Sequence, residues 1–301
     1  MKVVVLIKTV QYVYAQTGTE IGKNYIGPDD VIPIINPLDA YALEFALSLK
    51  DKFPDAQITA ATLGGSSARD GLKKCLAVGA DKAVHVCCPD SDMERFDSWT
   101  VAATLSSWMR QYPYDLILTG KQAIDGHSGL AGPYLAEILD LPHVSGVVKL
   151  DLDRENKKAL LQRAVERGDR EILECRLPAL FTIDRNILAP RYPTLSGRIK
   201  AEKKTIETVP MEALVYVDKT PSSDLNWIVT ESISSPKPKQ KSKPPAQKKI
   251  SAADRLQLLM KGGKKERKED SKLIDADSDK AISEIERILK EHEIVVDQVD
   301  H

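Results

Sequence analysis

The opening run Lys2-Val3-Val4-Val5-Leu6-Ile7 is the strongest constraint on the fold. Five consecutive apolar residues without alternation fit a strand buried on both faces, and such strands lie inside parallel sheets covered by helices. Helical and strand-like segments then take turns. Residues 38–49 place Ala40, Leu43, Ala46 and Leu47 at helical spacing, with Pro37 in the first turn and Asn36 as the expected cap. A strand is predicted over 58–63. The turn Gly64-Gly65-Ser66-Ser67 follows, then a helix whose Leu72, Cys75 and Leu76 share a face before Gly79 stops it. Strands over 83–87 and 115–119 flank a helix near 99–112, and a helix over about 130–139 leads to a strand over 144–150. Strands alternating with helices predict an α/β fold, an open, mostly parallel sheet with helices on both faces. Ligands of such sheets sit at the carboxyl ends of the strands.

From about residue 157 the rhythm changes. Residues 159–166 and 171–177 flank Arg167-Gly168-Asp169-Arg170 as a hairpin would, which predicts a small antiparallel element. Residues 184–200 carry Pro190, Pro193 and Gly197 among Arg191, Tyr192, Thr194 and Leu195, with no helical or strand period. They read as a surface loop that touches something. Residues 234–249 are almost entirely Ser, Pro, Lys, Gln and Ala, too little apolar surface to offset the entropy of ordering. Farther on, 252–260 is a short amphipathic piece and 261–272 is charged. Ile282, Ile285, Ile288 and Leu289 then form one helical stripe that needs a surface on this chain or a partner. The expected organisation is an α/β domain over 1–230, a flexible Lys/Pro-rich linker over 231–250 and a C-terminal arm over 251–301 ending in a helix.

With 301 residues, 42% of them apolar, the chain can bury a sizeable core. Its 43 basic and 44 acidic side chains leave no global field to favour nucleic acid or a membrane surface. The opening apolar run is too short for a signal peptide, and no later run approaches the roughly 20 apolar residues of a membrane span. A cytoplasmic protein is expected. Cys75, Cys87, Cys88 and Cys175 show neither CxxC spacing nor companion histidines, so reduced, mostly buried thiols are expected, with no disulfide framework and no metal site. His127 reads as a solvated loop residue, and His85 and His143, beside predicted strands, as structural. No nucleophile, acid–base pair or catalytic residue stands out, which assigns any chemistry to a bound cofactor.

The segment from Gly120 to Gly132 follows a strand and opens a helix. The backbone N–H groups of Ser128, Gly129, Leu130 and Ala131 can therefore converge on an anion. The spacing is neither a P-loop nor GxGxxG, so a nucleotide site and an ordinary strand-to-helix turn both remain open. The turns at Gly64 and at Asn36-Pro37-Leu38-Asp39 fall on the same sheet edge, which favours a shared ligand. Asp39 and Asp125 either accept hydrogen bonds from ribose or adenine or cap helices. A stand-alone adenine-nucleotide sensor or a ligase-like enzyme would use the same edge.

Gly120-Lys121-Gln122-Ala123-Ile124-Asp125-Gly126 resembles the electron transfer flavoprotein β-subunit family, and the likeness covers most of the chain. Also similar are Val4-Val5-Leu6-Ile7-Lys8, Ile35-Asn36-Pro37-Leu38-Asp39-Ala40, Ala77-Val78-Gly79-Ala80-Asp81, Leu177-Pro178-Ala179-Leu180 and Pro190-Arg191-Tyr192-Pro193-Thr194-Leu195. The resemblance implies a heterodimer with an α-subunit that holds FAD mostly in its own mobile domain, while the β-subunit binds AMP and supplies a face near the flavin. Electrons would pass between an acyl-CoA or other flavin dehydrogenase and an acceptor such as a quinone oxidoreductase. In the electron-bifurcating branch a second FAD replaces AMP, and NADH reacts with it. Carried over by motif, the nucleotide-lining positions are Leu6, Asn36, Pro37, Leu38, Asp39, Leu63, Gly64, Gly120, Gln122, Ala123, Ile124, Asp125, Ser128, Gly129, Leu130 and Ala131. The recognition loop for partner dehydrogenases matches Arg191, Tyr192, Thr194 and Leu195, with Leu195 in the anchoring segment. Residues 281–294 resemble the helix that latches the β-subunit to α. The chain departs from the family where Gly129, Leu130 and Ala131 replace an Asn-Gln-Thr set and leave only backbone donors. It departs again at Gly126-His127-Ser128, which lacks the acidic-polar pair of the bifurcating branch, so AMP and FAD both stay open. The family's acidic turn appears as Glu166-Arg167-Gly168-Asp169.

Overall fold

In the computed structural model the opening run forms strand β1 (Lys2–Leu6), and its burial explains its composition. Val3 and Val5 join one apolar cluster, while Val4 and Leu6 join another on the opposite face. The described residues are 1–13, 31–93, 96–165, 168–185, 187–216 and 228, and they belong to one compact unit, Met1–Ser235. The expected linker and C-terminal arm, including the stripe over 281–289, lie outside the described residues, as do Glu166 and Arg167 of the acidic turn.

After β1 come β2 (Thr9–Val13), β3 (Val31–Ile35), helix α1 (Pro37–Lys52), β4 (Gln57–Gly64), α2 (Ala68–Val78) and β5 (Lys82–Cys87). A single-turn α3 (Asp90–Met93), α4 (Ser98–Met109), β6 (Leu116–Gly120), α5 (Ala131–Ile138) and β7 (His143–Asp153) follow. The chain continues through β8 (Lys158–Ala164), β9 (Arg170–Arg176), β10 (Ala179–Ile183), α6 (Leu195–Lys203) and β11 (Glu207–Pro210). Nine strands form one sheet in the order β11-β5-β4-β1-β6-β10-β7-β8-β9. Only β8 runs against its neighbours. Strands β2 and β3 form a separate antiparallel ribbon. Residues of α1 and α2 pack into the first cluster and those of α4 and α5 into the second, so helices cover both faces as expected.

The predicted hairpin is present as β8 and β9, where it extends the large sheet at one edge. Several elements were not anticipated. Strand β10 is five residues long and wholly buried, a run too short to carry a period of its own. The β2–β3 ribbon and β11 are likewise short. The segment over 184–200, read as irregular, contains the start of α6. Of its residues only Ala201 is buried, so there is no apolar stripe to betray a helix. Asn36 precedes α1 as expected, but its side chain makes no capping bond. The four cysteines are free thiols, with Cys75, Cys88 and Cys175 buried. No helix among the described residues is long and apolar enough to cross a membrane.

Candidate functional site

Strand β1 lies between β4 and β6, with Leu6 opposite Ala61 and Val5 opposite Leu118. The three strands finish at one edge of the sheet, at Leu6, Gly64 and Gly120, with β4 running three residues past Ala61, and both Leu6 and Leu63 are buried there. The chain leaves β1 for β4 on one side and leaves β6 for β7 on the other, which puts a topological switch point between β1 and β6. Open α/β sheets form their ligand crevice at such a point.

The N-terminus of α1 is bolted across this edge. Asn36 donates from Nδ2 to the Gln122 carbonyl (3.0 Å), and its Oδ1 accepts from the Ile124 N–H (3.2 Å). Asp39 accepts the Lys8 N–H on Oδ2 (2.7 Å) and the Gly120 N–H on Oδ1 (2.9 Å). Asn36 is 1% exposed and Asp39 4%. Burial pushes the Asp39 carboxyl up to about 6, outweighing the opposing pull of the Lys8, Asn36 and Gly120 hydrogen bonds and of the Lys8 charge. Both side chains thus shape the crevice wall from behind. Gly120 has to be glycine because a Cβ there would meet the Asp39 carboxylate and come within 2.7 Å of the Leu38 Cβ and 2.8 Å of the Asp39 backbone nitrogen. Pro37 is exposed at the rim, while Leu38 is buried.

Beyond Gly120 the chain turns outward. Gln122, Ala123 and Ile124 are half-buried, and Asp125 is exposed. The Asp125 carboxylate pairs with Lys8 Nζ (2.7 Å) and accepts the Gly126 N–H (2.7 Å), so its charge is already matched. His127 takes a left-handed φ of 52°, with its N–H on the Ala123 carbonyl (3.0 Å). Gly129 has φ 64°, and its Cα approaches the Lys121 carbonyl so closely that a Cβ would lie 3.3 Å from it. Left-handed geometry and a tight contact together call for glycine. Ser128 shares a hydrogen bond with Ser98 of α4 (2.9 Å). Helix α5 then starts behind Leu130 without a side-chain cap. The Tyr134 N–H reaches the Leu130 carbonyl (3.0 Å), and Pro133 has no N–H, so Ala131 and Gly132 point their backbone donors out of the helix end. The helix dipole adds positive potential there. The neighbouring turn differs: the Asp90 carboxylate fills the space a Gly65 Cβ would take, so the chain's own acid faces the start of α2.

The second group of expected site residues leaves the same sheet edge after β10. Tyr192 is 92% exposed and Leu195 75%. Thr194 is exposed and caps α6, its Oγ1 accepting the Gly197 N–H (3.0 Å). Arg191 behaves otherwise, because its side chain turns back onto Glu44 and Asp51 of α1, which hold the guanidinium firmly protonated.

A model of the electron transfer flavoprotein domain matches residues 30–214, from β3 through β11. The chain belongs to the electron transfer flavoprotein family. Its β-subunits include that of Bacillus subtilis, 39% identical over 71% of this chain and 80% of the relative. The human β-subunit is 32% identical over 69% of this chain and 81% of its own length. The caffeyl-CoA reductase-Etf complex subunit CarD of Acetobacterium woodii is 36% identical over 64% of this chain and 69% of its own length. Membership in this electron transfer flavoprotein family supports an electron-transfer role.

Sequence reasoning missed Lys8, Ser98, Glu44 and Asp51. Glu44 carried one usable signal: it stands beside Leu43 in the α1 core stripe, and the residues three and four positions away, Ala40, Tyr41, Leu47 and Ser48, offer it no basic partner. A buried acid without a local partner needs a distant one.

Proposed function

We propose that this chain is the β-type subunit of a heterodimeric electron transfer flavoprotein. In this reading it holds an adenosine 5′-phosphate moiety in the crevice between β1 and β6, beside an α-type subunit that carries FAD. The moiety is either free AMP or the AMP half of a second FAD. The single observation that carries the reading is the asymmetry of the crevice. Asn36 and Asp39 face inward onto the backbone of Lys8, Gly120, Gln122 and Ile124, while the donors that face outward at α5 are backbone N–H groups. Outward backbone donors at a helix start suit a phosphate, and the apolar edge of Leu6, Leu63 and Ala123 suits a planar base.

The bound flavin supplies the one- and two-electron chemistry, and the side chains of this subunit bind and orient. Gly120 lets α1 close onto β6. Gly129 turns the loop so that Ala131 and Gly132 present their donors. Tyr192 and Leu195 offer an apolar surface to a flavin dehydrogenase such as an acyl-CoA dehydrogenase. A quinone oxidoreductase fits as the acceptor if AMP is bound, and NADH as the donor if a second FAD is bound.

The test is to purify the full chain with its α-type subunit, record the absorption spectrum, then denature the complex and quantify released nucleotides. One FAD with one AMP per heterodimer indicates simple transfer. Two FAD indicate bifurcation. A complex that releases neither AMP nor a second FAD would refute the assignment of the crevice.

A further inference from the structure

Arg191 begins the exposed segment that carries Tyr192 and Leu195, and its hydrogen bonds among the described residues run backward into the fold. Its main-chain N–H donates to Glu44 Oε2 (2.9 Å), Nε donates to both Glu44 oxygens (3.0 Å each), and Nη2 donates to Glu44 Oε1 (2.9 Å) and Asp51 Oδ2 (2.8 Å). Glu44 is 8% exposed. One buried carboxylate therefore grips both the backbone and the side chain of one loop residue.

Only the Glu44 end of this ion pair is buried, the Arg191 side chain being 38% exposed, and such a partly solvated pair adds little net stability. What it adds is geometry, because a side-on guanidinium and a main-chain N–H together leave Arg191 one position. On the far side the segment is pinned again. A Cβ on Gly197 would collide with the Ala77 carbonyl, so α6 lies directly on the end of α2, and Lys204 Nζ donates to the Ala80 carbonyl (2.7 Å). Lys73 pairs with Glu202 across the same contact (3.2 Å). Pro190 and Pro193, whose rings fix φ, flank the clamp and line a cavity of about 490 Å³ with Leu43, Leu47 and Ala77. Tyr192 thus stands, almost fully exposed, between two anchors. Among the described residues the two anchors lie on either side of a tyrosine that is itself 92% exposed.

We infer that Glu44 is a positioning residue for docking, which acts through Arg191 to hold Tyr192 and Leu195 in their binding arrangement before a partner arrives. The inference rests on the docking surface proposed above. It reassigns Arg191 from contacting the partner to setting the loop. Helix α1 also carries Asp39 in its first turn, directly after Asn36, so one element fixes both the crevice and the docking segment. A loop ordered in advance does not lose that freedom on binding, which lowers the KM for the partner without touching the transfer step.

The test compares wild type, E44Q, R191K and L195A, each as the full chain assembled with its α-type subunit. The donor is an acyl-CoA dehydrogenase with its acyl-CoA, selected by first screening for one that reduces the wild-type complex. Amide hydrogen exchange over residues 190–197 is measured alongside. E44Q is expected to speed exchange in that segment and raise the KM for the complex about tenfold, with kcat within about twofold of wild type. R191K, which keeps the charge and the main-chain bond but loses the side-on fork, is expected to fall between the two and guards against a folding defect in E44Q. Faster exchange with an unchanged KM, or a fall in kcat at constant KM, overturns the positioning role. If L195A also leaves KM unchanged, the docking surface itself is wrongly placed.

Discussion

Replacing Gly120 by Ala tests the brace on which the crevice depends. The added Cβ would collide with the Asp39 carboxylate, the Leu38 Cβ and the Asp39 backbone nitrogen; all three belong to the first turn of α1, and the last two move only with its backbone. Backbone cannot swing aside as a side-chain tip can, so α1 must retreat from β6. Overpacking of this kind costs about 1–3 kcal/mol. Retreat also breaks the 2.9 Å bond from the Gly120 N–H to Asp39 and leaves a buried acceptor short of a donor, a further loss of about 1.5–3 kcal/mol. The expected destabilisation is about 3–5 kcal/mol, read in urea unfolding as a midpoint lowered by about 1–2 M. Gly126, in the same loop, has open space around its hypothetical Cβ, so G126A should stay within about 0.5 kcal/mol of wild type. The reasoning is refuted if G120A and G126A unfold at the same urea concentration.

The other expectations concern the crevice, the docking segment and acid titration. G129V forces a β-branched residue into a left-handed φ, at about 1–2 kcal/mol, and should empty the nucleotide site; full occupancy after purification would count against it. L195A should weaken dehydrogenase docking about tenfold or more, as expected for a buried apolar anchor, with nucleotide content preserved. Nucleotide loss instead would undo that division of roles. Asp39, pushed up to about 6 by burial, starts from about 3.9 in the unfolded chain. The folded state binds the extra proton between those values, so its contribution is fully present below about pH 4 and is lost as pH rises through about 6. The stability gap between wild type and D39N should therefore move against wild type by about 3 kcal/mol across that window. Urea unfolding from pH 4 to 7 checks it, and a gap that moves the other way shows that the hydrogen bonds win over burial.

How far the sequence could be read depended on the range of each interaction. The five apolar residues of β1 and the spacing of Leu43, Ala46 and Leu47 are local patterns, and they predicted a central strand and α1 within a few residues. Gly120 was recognisable as part of a strand-to-helix turn. Its reason for being glycine was not, because Leu38 and Asp39 lie more than eighty positions away in the chain. Asn36 was read as a helix cap and Asp39 was left between a ligand and a capping role, and the hydrogen-bond partners they take appear only once β6 is beside α1. Helix α6 escaped because Leu195 and Ile199 face solvent, the reverse of the pattern that marks a helix. The clamp of Arg191 on Glu44 spans 147 residues, beyond the reach of any local pattern.

Strand β10 has a consequence for how the chain assembles. It is inserted between β6 and β7, which do not pair with each other. Residues 143–176 therefore have no seat in the sheet until residues 179–183 have been made. During synthesis the first half, β1 with β4, β5 and β6, can gather early, while the β7–β8–β9 meander waits as a separate piece with an unpaired inner edge. Closure is a late, long-range event of the kind that slows folding. The exposed edges of β6 and β7 are open to wrong pairing meanwhile. A chain halted just short of Ala179 would be split along the sheet, with both halves sticky.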